Sequence, residues 1–223
     1  SSAGDVDGDG LADVLVGAHR DDTGGIQAGS VALFLGADLT SDASLDLDEA
    51  HVHFLGDVAD DYAGYSASSA GDVDGDGLAD ILIGAPQEDT AGASAGMVYL
   101  FYGSSLLEPG EVLLSEADVI FGGEASQDWA GVSVASAGDV DGDGLDDLLI
   151  GAFAHDTGGT DAGITYLVLA ASLDSSSQIS LADADTRFVG VNDHDYTGST
   201  VASAGDVDGD GLGDFAIGAS SND

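Results

Sequence analysis

Short apolar runs recur along the chain and are separated by longer stretches rich in glycine, serine and aspartate. Val14 to Ala18, Ile81 to Ala85, Leu148 to Ala152 and Phe215 to Ala219 form one set; Ser30 to Leu35, Met97 to Tyr102 and Ile164 to Leu169 form a second. These runs are too short, and too rich in β-branched and aromatic residues, for helices, and their unbroken apolarity predicts strands covered on both faces. A third set precedes the first and is built of small residues, as in Gly131 to Ala137. A fourth ends on an aromatic, at about Ala50 to Phe54, Ala117 to Phe121 and Ala184 to Phe188. In chain order the four sets are strands A, B, C and D, with A the small-residue set.

The sets share one period. Gly-Asp-Val-Asp-Gly-Asp-Gly-Leu occurs four times, its first aspartate falling at Asp5, Asp72, Asp139 and Asp206, a constant spacing of 67. Gly17, Gly84, Gly151 and Gly218 keep the register, as do Phe54, Phe121 and Phe188, and Tyr62, Trp129 and Tyr196. Asp22, Asp89, Asp156 and Asp223 form another aligned set, and Asp61, Asp128 and Asp195 another. Four strands per repeat predict an all-β chain of propeller-type blades, each of four antiparallel strands. The chain reads as one array over 1–223, with units 5–71, 72–138, 139–205 and a partial 206–223.

Composition narrows the function. The 223 residues carry 43 acidic side chains against two basic ones, Arg20 and Arg187, for a formal charge of −41. Phosphate backbones are neutralised by Lys and Arg, so a nucleic-acid binder is excluded, and docking to an anionic membrane surface is disfavoured. The apolar runs fall far below the ~20 residues of a spanning helix, so no membrane insertion is expected. A 43% hydrophobic content set out in ordered runs argues against acidic disorder. Cysteine is absent, which removes disulfides and thiolate metal sites.

Much of the acid falls in the repeated loop between strands A and B. Asp5, Asp7, Asp9 and Asp13 stand at positions 1, 3, 5 and 9 of a nine-residue loop, with the Leu11 carbonyl at position 7. The same places hold Asp72, Asp74, Asp76, Leu78 and Asp80; Asp139, Asp141, Asp143, Leu145 and Asp147; and Asp206, Asp208, Asp210, Leu212 and Asp214. Alternate aspartates on a tightly curled loop converge, glycine at position 6 permits the turn, and an all-oxygen set selects a hard cation, Ca²⁺ before Mg²⁺. An EF-hand is excluded because position 12 is Val16, Ile83, Ile150 or Ile217 rather than Glu. About four Ca²⁺ are expected, one per loop, which would move the charge from −41 to −33.

The stretch Tyr62-Ala-Gly-Tyr-Ser through the acidic loop to Gly84-Ala-Pro86, followed by Gly96-Met-Val-Tyr-Leu-Phe-Tyr-Gly103, resembles the FG-GAP repeats of integrin α-subunit propellers and their bacterial relatives. The aromatic stands one residue earlier than the family's Phe, and Gly-Ala-Pro becomes Gly-Ala-His19, Gly-Ala-Phe153 and Gly-Ala-Ser220 elsewhere. The resemblance implies calcium loops on one face of a ring and partner docking on the B–C and D–A loops of the other. It implies an extracellular, cell-surface adhesion scaffold whose partner is another protein, a glycan or a copy of itself.

Three readings compete: a binding and adhesion module, a structural subunit of a calcium-dependent assembly or filament, and the propeller appendage of a larger secreted enzyme. About 3.3 repeats are too few for the 4–8 blades of a closed ring, so the chain, which starts at Ser1, reads as an incomplete or multi-chain propeller. Near-perfect repetition and the lack of any Gly-x-Ser-x-Gly, P-loop or His-Glu-x-x-His motif speak against an enzyme, and no catalytic residues are assigned. The five histidines keep no register of their own; His51 and His53 share a strand face and read as exposed polar positions rather than a transition-metal pair. The aligned Asp22 and Asp61 sets read as turn-capping aspartates, with a second cation or ligand ring as the functional alternative.

Overall fold

The structure, a computed structural model, describes residues 1–39, 46–173 and 178–222. It is all-β, in sheets laid side by side and not closed into a barrel. The first blade holds β1 (Ser2–Gly4), β2 (Asp13–Ala18), β3 (Ser30–Phe34) and β4 (Val52–Leu55). The second holds β5 (Ser66–Gly71), β6 (Asp80–Ala85), β7 (Met97–Phe101), β8 (Gly110–Leu113) and β9 (Val119–Gly122). The third holds β10 (Ser133–Gly138), β11 (Asp147–Ala152), β12 (Ile164–Val168), β13 (Gln178–Ser180) and β14 (Thr186–Val189); β15 (Thr197–Gly205) and β16 (Asp214–Ala219) follow as a pair.

Within each blade the four expected strands pair antiparallel in chain order, in equivalent register: Ile81 faces Phe101 in the second blade as Leu148 faces Val168 in the third. The fourth strand starts two residues later than its apolar pattern suggested, because Leu47–Glu49, Leu114–Glu116 and Leu181–Asp183 form a 3₁₀ turn ahead of it. The first two sheets also exceed four strands. β8 pairs parallel with β4, and β13 parallel with β9, so the C–D connection of one blade adds a fifth strand to the blade before it. Gln178-Ile-Ser repeats Glu111-Val-Leu one period on, but both segments are short and largely exposed, so hydrophobic patterning does not mark them.

The core lies between blades. Leu15, Leu33, Val52 and Phe54 of the first blade pack on Ile81, Ile83, Tyr99 and Phe101 of the second. Leu82, Leu100 and Phe121 meet Leu148, Ile150 and Tyr166 of the third in the same way. Phe54 and Phe101 meet with ring centroids 4.8 Å apart. Burying each such ring stabilises the junction by about 2–3 kcal/mol. Small residues set the spacing: a Cβ at Gly84 would stand 2.0 Å from the carbonyl oxygen of Gly131, and one at Gly151 2.0 Å from that of Gly198. Each of the first three blades thus has its acidic A–B loop at one end and the B–C and D–A loops at the other.

Candidate metal centre

Each acidic loop curls through two glycines in the left-handed region, Gly8 (φ 75°) and Gly10 (φ 88°) in the first. The curl brings carboxylate oxygens of Asp5, Asp7 and Asp13 within 4.8 Å of one another, and likewise Asp72, Asp74 and Asp80, and Asp139, Asp141 and Asp147. In the fourth loop the converging set is Asp206, Asp208 and Asp210, all exposed. Asp9, Asp76 and Asp143 stand outside the first three groups, each accepting a hydrogen bond from the amide of the position-7 leucine: Leu11, Leu78 and Leu145 at 2.7–2.8 Å.

The position-9 aspartate ties the loop to the blade. Asp80 is fully buried at the start of β6, and its two oxygens accept from Val73 N and Gly103 N, both at 2.8 Å. Asp13 and Asp147 make the equivalent bonds, to Val6 and Gly36 and to Val140 and Ala170. Asp214 has one such bond, to Val207 N at 2.8 Å. Burial pushes the Asp80 carboxyl up to about 7, with the charges of Asp74 and Asp76 adding to it; Asp13 and Asp147 are raised for the same reason. Repulsion of this kind is what a bound cation relieves.

Asp72 fills its oxygens with Gly75 N and Gly77 N, and Asp139 with Gly142 N and Gly144 N. Asp5 bonds Gly10 N through Oδ2, while its Oδ1 is buried without a hydrogen-bond partner among the described residues. A buried, unpartnered carboxylate oxygen beside two further carboxylates fits an all-oxygen hard-cation site.

The loops are also tied to one another. Ala79 N donates to Asp5 O at 2.9 Å, Asp146 N to Asp72 O at 3.0 Å, and Gly213 N to Asp139 O at 2.7 Å. Leu78 lies over Gly8, Leu145 over Gly75 and Leu212 over Gly142. Asp146 adds a bond that its neighbours Ala79 and Gly213 lack, its Oδ2 accepting from Asp72 N at 2.8 Å. Nothing in the repeat motif marks this cross-loop stitching; the one signal is Asp146 in a slot that is otherwise Ala or Gly.

At the opposite end the aligned aspartates divide. Asp22, Asp89 and Asp156 are exposed and cap their own loops, accepting from Gln27 N, Ser94 N and Asp161 N at 2.6–2.8 Å. Asp223 lies outside the described residues. Asp61, Asp128 and Asp195 are buried; Asp128 accepts from Ala125 N and Asp195 from Asn192 N of their own loops, and Asp128 also lies 3.7 Å from His155 on the B–C loop of the next blade. The aromatic after each adopts a left-handed backbone, with φ of 55° at Tyr62, 59° at Trp129 and 55° at Tyr196. Trp129 and Tyr196 flank Phe153 edge-on, so these aromatics form a half-buried rim. His51 lies beside Leu106 O at 3.2 Å and lines a cleft with His53, Asp48 and Glu111; neither histidine joins a three-ligand group among the described residues.

A family model for the FG-GAP repeat matches residues 1–34, 63–101 and 130–168, which is A, B and C with their acidic loop, three times over. Integrin alpha-5 of Xenopus laevis is 34% identical over 166 residues, covering 70% of this chain and 14% of that protein. Integrin alpha-PS2 of Drosophila melanogaster is 33% identical over 169 residues, covering 72% of this chain and 10% of that protein. Integrin alpha pat-2 of Caenorhabditis elegans is 28% identical over 239 residues, covering 98% of this chain and 17% of that protein. The chain therefore spans less than a fifth of the length of each of these curated relatives.

Proposed function

The chain belongs to the FG-GAP repeat family, and from that premise we propose that it is a non-enzymatic, calcium-binding scaffold of an extracellular adhesion type. The observation that carries this reading is the fourfold acidic loop. Asp5, Asp7 and Asp13, with Asp9 and the Leu11 carbonyl, would hold one Ca²⁺. The sets headed by Asp72, Asp139 and Asp206 would hold three more. The ion would neutralise carboxylates that the fold has gathered and partly buried. The A–B loop would become a rigid corner at which each blade meets the next. The array behaves as one domain over 1–223, with the repeat boundaries at 72, 139 and 206.

Likeness to integrin alpha subunits supports a place outside the cell, where calcium is abundant, and a protein or glycan partner on the B–C and D–A loops. The near-identity of the repeats supports a scaffold over an enzyme, since catalysis needs side chains that differ from copy to copy. Calorimetric titration of chelator-stripped protein with CaCl₂, followed by thermal melting, tests the metal. About four sites and a calcium-dependent rise in melting temperature are expected, and no heat of binding with unchanged melting refutes the reading. Binding to matrix proteins and arrayed glycans in CaCl₂ and in EGTA tests the adhesion role.

A further inference from the structure

The B–C loops of the three blades open on the same turn and latch it with different acceptors. Thr23, Thr90 and Thr157 each stand two residues after a slot that holds Asp21, Glu88 and His155 in turn. In every copy the threonine amide donates back to the side chain in that slot: to Asp21 Oδ1 at 2.9 Å, to Glu88 Oε2 at 2.8 Å and to His155 Nδ1 at 3.1 Å. In the first two copies the threonine hydroxyl donates to the same carboxylate. A carboxyl group keeps an accepting oxygen even when protonated, so these two latches do not depend on charge. An imidazole is different. A backbone N–H can only donate, so Nδ1 of His155 must carry its lone pair and the ring proton must sit on Nε2. The third latch therefore exists only while His155 is neutral.

The surroundings of the ring favour a second proton. His155 is buried, with Nε2 3.7 Å from Asp128 and 3.8 Å from Glu124, both on the D–A loop of the second blade. Glu124 pairs with Arg187 of β14 and accepts the Tyr166 hydroxyl of β12 at 2.9 Å, and the Tyr166 ring meets the His155 ring edge-on at 6.5 Å. Asp128 Oδ2 accepts from Ala125 N at 2.8 Å. Asp156, next to His155, is exposed and caps its own loop through Asp161 N. Among the described residues the charged groups round the ring are thus three acids and one base, Arg187, already paired with Glu124. Burial and the Thr157 amide oppose charging the imidazole, and the two facing carboxylates favour it. At 3.7 Å the Nε2–Asp128 contact is longer than a hydrogen bond, and a ring movement of about 1 Å would make it a charge-assisted one. Thr157 is exposed, so an amide released from Nδ1 passes to water.

We propose that His155 is a proton-driven latch: neutral, it holds the third B–C loop through the Thr157 amide; protonated, it releases that amide and closes on Asp128 and Glu124 of the preceding blade. Acid thereby loosens one loop and tightens one blade junction through a single ring. The first and second B–C loops, latched by Asp21 and Glu88, stay shut through the same change.

The test follows backbone amides of the full chain in saturating CaCl₂ between pH 8 and pH 5, with Thr90 as the internal reference for Thr157. Hydrogen-exchange protection factors divide out the ordinary pH dependence of exchange. Protection at Thr157 is expected to fall about fivefold towards pH 5, as for the loss of one hydrogen bond, while that at Thr90 holds. Nitrogen-15 shifts of the His155 ring are expected to pass from one bare nitrogen at pH 8 to two protonated ones at pH 5. In His155→Gln, whose side chain does not titrate, Thr157 should stay level across the range. Constant protection at Thr157 in the parent, or a ring that stays neutral to pH 5, overturns the proposal, and so does an equal fall in His155→Gln. The comparison of Thr157 with Thr90 needs no variant, so it decides the matter even where His155→Gln does not fold.

Discussion

At one end of the strands, Asp5, Asp72, Asp139 and Asp206 open loops that repeat almost residue for residue. At the other, one slot holds Asp21, then Glu88, then His155. The first end gathers like charges in every copy. The second lets each copy solve its electrostatics differently: Asp21 bonds Thr23 and Ser30, Glu88 takes both the amide and the hydroxyl of Thr90, and His155 meets two acids beside Arg187. Where repeats are identical, the shared feature belongs to the architecture. Where a buried position changes chemistry between copies, that position carries what is specific to this chain.

Removing the metal is the strongest way to break the repeated end. A site at a hundredfold excess of ligand over its dissociation constant contributes about 2.7 kcal/mol, so emptying several should lower the melting temperature by on the order of 20 °C. A melt in EGTA against CaCl₂ measures this, and superimposable curves would mean that the loops stand without ions.

A single residue divides the repeated end within itself. Asp80→Ala removes a buried carboxylate that satisfies two backbone amides, and should cost about 3–5 kcal/mol in saturating calcium. Asp214→Ala removes one such bond at a partly exposed position and should cost under about 1 kcal/mol. Urea midpoints give both numbers, and equal losses would show that loop position rather than burial sets the effect.

This contrast marks what sequence could and could not carry. The 67-residue register, the strand order and the convergence of Asp5 with Asp7 and Asp13 were legible because each depends on local spacing and on glycines that tolerate a left-handed turn. The period of two along a strand says which face is apolar, but not that β8 crosses to the preceding blade, since that pairing joins residues 58 apart through backbone atoms alone. Likewise the aligned aspartates looked alike. Asp22 is an exposed loop cap and Asp61 a buried acid because of what the next blade places over them, which no window along the chain contains.

The unrepeated end is sharpened by pH. In metal-free protein the Asp61 carboxyl sits at about 7 when folded, against an ordinary value of 3.8 when unfolded. The folded state therefore binds this proton more tightly. The associated stability is full below about 4 and is lost as pH rises through 7. Asp61→Asn removes that loss, so in EGTA the variant should be more stable than the parent by about 4 kcal/mol at pH 8 and close to it near pH 4. Melts across that range, begun in the cold, read the difference. A gap that does not close at low pH would place the effect outside the titration of Asp61.

The smallest effect tests whether the repeated end is four sites or one chain of sites. Asp146 Oδ2 accepts from Asp72 N while Asp146 N donates to Asp72 O, a two-bond clasp between the third loop and the second. Asp146 is position 8 of its loop and was not among the candidate ligands, so Asp146→Ala should leave the third loop's carboxylate set intact. It removes one charge-assisted bond, worth about 1 kcal/mol, from the amide that begins the second loop. The expected outcome is a roughly fivefold weaker calcium affinity assigned to the second loop, with the first and fourth loops unchanged. Calcium titrations followed by backbone amide shifts of Gly77 and Gly144 separate the two loops. A weakening confined to Gly144 would mean that Asp146 serves its own loop and that the clasp transmits nothing. A weakening at Gly77 would show that occupancy of one loop is felt by the next through Asp72.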